Sequence, residues 1–83
     1  MRHEHLAYLI QAHQDALLTD PEASAARETI ISIFRALDQG DITVGRAVYL
    51  LGYQAVYWAD QPAQAALYRQ AAMDLRQMQR AEQ

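Results

Sequence analysis

Residues 43–59 read TVGRAVYLLGYQAVYWA, and this stretch places apolar side chains on two opposite faces of one predicted helix. Tyr49, Tyr53 and Tyr57 recur every four residues, so they stack along one face. The opposite face carries aliphatic side chains and a tryptophan: Val44, Val48, Leu51, Ala55 and Trp58. A surface helix normally has one apolar stripe, so a helix with two is either central in the fold or shared with a partner.

Three further helices are predicted around this one, over residues 3–18, 21–39 and 60–80, because apolar residues recur there at helical spacing. Helix-capping residues separate the predicted helices. They are Asp20 as an N-cap before Pro21, Gly40 as a left-handed C-terminal residue, and Thr43 as a second N-cap. The short connections favour antiparallel neighbours. The predicted fold class is therefore all-α, a compact antiparallel bundle of about four helices in a single domain, residues 1–83.

Each flanking helix has one predicted core stripe. The stripe members are Leu6, Leu9, Ile10, His13 and Leu17 in the first helix, Ala23, Ala26, Ile30, Ile33, Phe34 and Leu37 in the second, and Leu67, Tyr68, Ala71, Leu75 and Met78 in the last. Ile31 lies off its stripe and is predicted to be an exposed contact. His13 is predicted to be a hydrogen-bonded core residue rather than a general base or a pH switch, since buried polar groups are normally satisfied.

Composition narrows the function classes. The formal charge is −3 and all seven basic residues are arginine. Such a balance lacks the basic footprint of nucleic-acid binding and suits docking on a basic protein surface. The chain has no cysteine, which excludes disulfides, and neither an apolar signal core nor a membrane-length apolar run is present. The predicted location is the cytoplasm, with no membrane association.

The tyrosine-bearing side of residues 43–59 is the candidate protein-binding site. Tyrosine is enriched at interfaces because it joins a large apolar body to a polar tip. The site residues are Arg46, Tyr49, Leu50, Tyr53, Val56 and Tyr57. The open alternative is that this helix is central and that both of its faces are core.

Small residues recur every seven positions along another edge of the same helix. This small-residue seam consists of Gly45, Gly52 and Ala59. A glycine inside a helix costs about 1 kcal/mol relative to alanine, so two of them indicate either a packing role or a break in the helix. A second copy of the chain, packed helix to helix, would use the seam in a homodimer.

Residues 40–52 read GDITVGRAVYLLG. This run resembles the first half of the helix-turn-helix of small bacterial antitoxins and repressors, in which Gly-x-Ile-Ser/Thr-x-Gly-Arg/Lys-Ala-Ala-x-Leu-Leu-Gly leads into a recognition helix. The resemblance implies a DNA-binding transcriptional regulator or antitoxin that uses residues 42–58, with a turn at Gly52. A recognition helix presents polar and basic side chains to base edges, whereas residues 53–60 offer Gln54 and end in Asp60.

No catalytic motif, phosphate loop or paired-carboxylate site is visible, and no cofactor or metal is predicted. His3, Glu4 and His5 do not have the spacing that places two histidines on one face for zinc. Arg69, Arg76 and Arg80 form a sparse basic stripe, interpreted as a solvated face with local acidic partners such as Asp74 or Glu82.

These observations favour a non-enzymatic protein-binding module, such as an inhibitor or anti-activator from a phage or mobile element that occludes a surface of a host defence or regulatory complex. Two alternatives stay open. One is the helix-turn-helix regulator, and the other is a structural subunit or chaperone of a larger assembly.

Overall fold

Four α-helices follow one another along residues 4–81, the part of the chain that the computed structural model describes. They are α1 (Glu4–Thr19), α2 (Ser24–Asp38), α3 (Val44–Tyr57) and α4 (Pro62–Ala81), and a 3₁₀ turn (Pro21–Ala23) precedes α2. No strand occurs within these described residues. The radius of gyration is 12.1 Å, close to the roughly 12 Å expected for a compact domain of this length. The predicted all-α bundle of four helices is confirmed.

The helices pack chiefly in two pairs, α1 with α2 and α3 with α4, and α2 joins the pairs by contacting both α3 and α4. One apolar cluster fills the space between them. Its buried members are Leu6, Ala26, Ile30, Phe34, Leu37, Ala47, Leu51, Ala55, Tyr68, Ala71, Leu75 and Met78. Leu9, Ile10, Ile33 and Leu67, which the stripes also predict, are partly buried against it.

The connection between α2 and α3 contains the two capping residues that the sequence predicts. Gly40 has a φ of 81°, and the N–H groups of Gly40 and Asp41 donate to the carbonyls of Leu37 and Ala36 at 3.1 and 2.9 Å. This is the Schellman pattern that ends helices at a left-handed glycine. Thr43 then caps α3, because its Oγ1 accepts a hydrogen bond from the Arg46 N–H at 3.1 Å.

The predicted cap at Asp20 is only partly right. Asp20 precedes the 3₁₀ turn as its N-terminal residue, but its side chain makes no capping hydrogen bond. Its Oδ2 lies 3.7 Å from Nη2 of Arg27 instead. The charged neighbour on α2 therefore takes the place of the backbone N–H groups as the partner of this carboxylate.

Ile31 corrects the sequence-based prediction, because its side chain is buried rather than exposed. The residue lines a shallow cleft together with Gln14 and Leu17 of α1. α1 thus covers a broader part of α2 than a single stripe of period 3.6 describes. None of the described helices combines the length and apolar content that a membrane span requires.

Candidate protein-interaction surface

α3 presents its tyrosines to solvent. The exposed fractions are 61% for Tyr49, 58% for Tyr53 and 66% for Tyr57, and Val56 beside them is 76% exposed. Leu50 is half-buried and Arg46 is exposed. We call these six residues the tyrosine face. The alternative in which both faces of α3 are core is wrong for the chain by itself, whereas protein binding by this face stays a prediction.

The opposite side of α3 packs into the bundle. Ala47, Leu51 and Ala55 are buried, and Val44, Val48 and Trp58 are partly buried against the same cluster. Among the described helices, α3 contacts α4 most extensively. The second apolar face in the sequence is therefore core, and it holds the tyrosine face on a rigid element.

Both ends of the tyrosine face are held by contacts within the chain. At the N-terminal end, Cζ of Arg46 lies 5.3 Å from the ring centroid of Tyr49, a cation–π arrangement. At the C-terminal end, the Tyr57 ring meets Trp58 edge-on at 5.5 Å, and the Trp58 Nε1–H donates to Oε1 of Gln54 at 3.2 Å. Side chains that are already ordered lose less entropy on binding.

The small-residue seam is open on α3. A Cβ atom at Gly52 would meet no other atom of the described chain within 4 Å, and one at Gly45 would meet only Oγ1 of Thr43 at 3.9 Å. Ala59 lies beyond the end of α3, so the seam has two helical members rather than three. Among residues 4–81, α4 borders the cleft beside Gly52 but does not fill the space over the glycine. Packing of a second molecule on the seam stays a prediction.

A shallow cleft of 270 Å³ extends the apolar surface from α3 to α4 across Gly52. Its lining includes Met73, which is 51% exposed, with Arg69 and Arg76 at its edge. Sequence reasoning placed these arginines on a solvated stripe, and all three stripe members are exposed. It did not find Met73, although the spacing of that residue between Arg69 and Arg76 carries the signal. Asp74 accepts a hydrogen bond from Nε2 of Gln70 at 2.9 Å, and Glu82 lies outside the described residues.

His13 is hydrogen-bonded, as predicted, but it is half-buried at the edge of the core rather than inside it. Its Nδ1 lies 3.1 Å from Nη1 of Arg27, and its ring meets Phe34 edge-on at 5.7 Å. Burial lowers the pKa of His13, the positive charge of Arg27 lowers it further, and Asp74 acts in the opposite direction. A neutral imidazole that accepts from a guanidinium explains both the contact and the direction of this shift.

The described residues contain no cluster of three or more metal-ligating side chains. His5 stacks on Tyr8 with ring centroids 6.2 Å apart, whereas His3 lies outside the described residues. The structure thus shows no group of side chains arranged for metal binding between residues 4 and 81.

The turn that the helix-turn-helix resemblance requires at Gly52 does not form. α3 runs without a break from Val44 to Tyr57, so no separate recognition helix begins after Gly52. The exposed side of the segment consists mainly of tyrosine and valine, and Gln54 is engaged by Trp58.

Comparison of the chain with protein-family models, with curated proteins and with solved structures finds no match.

Proposed function

We propose that the protein is a small non-catalytic protein-binding module that covers a functional surface of another protein with its tyrosine face. The observation that carries the proposal is the exposure of Tyr49, Tyr53 and Tyr57 on one side of a helix whose other side is core. Large aromatic side chains exposed together on a soluble protein mark interaction sites, and tyrosine is among the residues that dominate binding energy.

The size of the face suits this role. At these exposed fractions the three tyrosines offer about 400 Å² for burial, since a tyrosine contributes roughly 150–250 Å². A standard interface buries about 800 Å² per partner. Val56 on α3 and Met73 in the cleft next to Gly52 are also exposed and add apolar area to this side of the molecule.

Inhibitors and anti-activators act by such occlusion, because a preformed face blocks the partner without any chemical step. A phage or mobile-element protein directed at a host defence or regulatory complex is the setting that we propose. A structural subunit or chaperone would use the same face and would differ only in its context.

Affinity capture tests the proposal. The tagged protein is incubated with nuclease-treated lysate of the organism that encodes it, and retained proteins are identified by mass spectrometry. Tyr53→Arg places a charge at the centre of the tyrosine face. Tyr8→Arg is the matched control, because Tyr8 is 68% exposed on α1, a helix that has no extensive contact with α3. Circular dichroism confirms that both variants keep their helicity.

The expected result is a stoichiometric protein that the wild type and Tyr8→Arg retain and that Tyr53→Arg loses. Equal retention by all three proteins would place the binding site elsewhere. Retention of no protein, with nucleic acid retained in a parallel capture from untreated lysate, would replace the proposal by the DNA-binding regulator, and a steep salt dependence of DNA binding would then follow.

A further inference from the structure

We propose that the tyrosine face also pairs with a second copy of the chain, as a twofold dimer in which the two α3 helices run antiparallel and cross at Tyr53. The inference goes beyond the proposed function, because it assigns a second occupant to the same face. Such an interface is isologous, so each contact occurs twice and the same patch serves both copies.

The sequence of the tyrosine face is symmetric about Tyr53. Tyr49 and Tyr57 lie four residues before and after it, and Leu50 and Val56 lie three residues before and after it. In an antiparallel pair centred on Tyr53, residues equally far from the centre lie at the same level. Tyr49 of one copy therefore lies level with Tyr57 of the other, and apolar side chains meet apolar side chains along the whole contact.

The charges show the same symmetry with opposite sign. Arg46 lies seven residues before Tyr53, and Asp60 lies seven residues after it in the turn that follows α3. Both are exposed, and the position of the Arg46 guanidinium over the Tyr49 ring keeps it on the tyrosine face. The antiparallel pair thus brings Arg46 of each copy to Asp60 of the other, with one such contact at each end.

This charge pattern selects the orientation. A parallel pair would place Arg46 beside Arg46 and Asp60 beside Asp60, and like charges across an interface oppose association. The antiparallel pair converts both repulsions into attractions. The complementarity comes from the chain itself, which is why a second copy fits this face.

The area sets the strength of the dimer. The tyrosines supply about 400 Å² per copy, and interfaces below about 600 Å² per partner belong to weak, transient complexes. The pairing is therefore reversible. It covers the tyrosine face when no other partner is present, and a heterologous partner has to displace it.

Charge reversal tests the inference by sedimentation equilibrium of the purified chain from micromolar to millimolar concentration. We expect the wild type to pass from 9.4 kDa to twice that mass. Arg46→Asp and Asp60→Arg each create like-charge contacts and should weaken association about tenfold or more. The double variant, with both charges exchanged, should restore most of the wild-type affinity, because the pair is then reversed but complementary.

Arg80→Asp is the matched control, since it makes the same charge change at an exposed position of α4, and it should dimerise like the wild type. Circular dichroism of each variant excludes loss of fold. A wild type that stays at the monomer mass at millimolar concentration would overturn the inference. A double variant that is as weak as the sum of the two single changes would overturn the antiparallel register.

The outcomes separate the inference from the proposed function. A monomeric chain that still captures a protein through Tyr53 would refute the dimer and leave the function standing. A dimeric chain with charge rescue that captures nothing would refute the function and support the dimer.

Discussion

Nη1 of Arg27 lies 3.1 Å from Nδ1 of His13, and this contact joins α2 to α1. Because a guanidinium only donates, Nδ1 of His13 accepts and the ring proton resides on Nε2 of a neutral imidazole. Protonation of Nδ1 would remove the hydrogen bond and place two positive charges side by side. The Arg27 guanidinium also lies near Asp20, with Nη2 to Oδ2 at 3.7 Å.

This arrangement predicts a pH dependence of stability. Burial, and then Arg27, lower the pKa of His13 below its usual 6.5, so the unfolded chain takes up a proton at a higher pH than the folded chain. With respect to His13, the free energy of unfolding is therefore highest above about pH 6.5. It falls as the pH decreases from there toward the pKa of His13 in the folded chain. Urea unfolding followed by circular dichroism at pH 7.5 and pH 5.5 measures the difference.

His13→Gln removes the titrating group and should flatten the curve between these two pH values. His5→Gln is the matched control, because His5 is an exposed residue of the same helix, and its curve should follow that of the wild type. A His13→Gln curve as steep as that of the wild type would show that another group causes the dependence.

Helix ends were predictable wherever a single local interaction decides them. Gly40 and Thr43 end α2 and begin α3 through backbone geometry and one side-chain hydrogen bond, and both are readable within a few residues of sequence. Asp20 shows the limit of such rules. Its carboxylate lies beside Arg27, seven residues further along the chain. Residue preferences at caps do not take into account an arginine that competes with the backbone N–H groups for the carboxylate.

Burial was predictable for the centre of each stripe and not for its edges. Ile31 is buried because α1 lies across that side of α2, and the periodicity of α2 alone contains no information on the width of its neighbour. The same reason applies to α3. Its sequence shows two apolar faces, but the packing of α4 decides which of them becomes core.

The contrast between two tyrosines checks which face of α3 is exposed. Tyr68 of α4 is 2% exposed, and Tyr53 is 58% exposed. Tyr68→Ala removes a buried ring and should lower the free energy of unfolding by about 3–5 kcal/mol. Tyr53→Ala should change it by less than about 0.5 kcal/mol. Urea unfolding at low micromolar concentration, where the proposed dimer is dissociated, measures both, and equal losses would show that Tyr53 is part of the core.

Gly40, which precedes α3, and Gly52, which lies inside it, should respond to alanine in opposite directions. Gly52 is inside α3, and a Cβ atom there meets no other atom within 4 Å among the described residues, so Gly52→Ala should stabilise the fold by up to about 1 kcal/mol. Gly40 has a φ of 81°, so Gly40→Ala should destabilise it by about 1–2 kcal/mol.

Thermal unfolding of the two variants at low concentration tests this pair, because 1 kcal/mol corresponds to about 4–8 °C for a domain of this size. A Gly52→Ala variant that melts below the wild type would mean that another helix lies against α3 at this position. A Gly52→Ala variant that melts above the wild type, yet associates more weakly with a second molecule, would show that the open position at Gly52 is needed for binding. The glycine would then lower the stability of the helix in exchange for close approach of the partner.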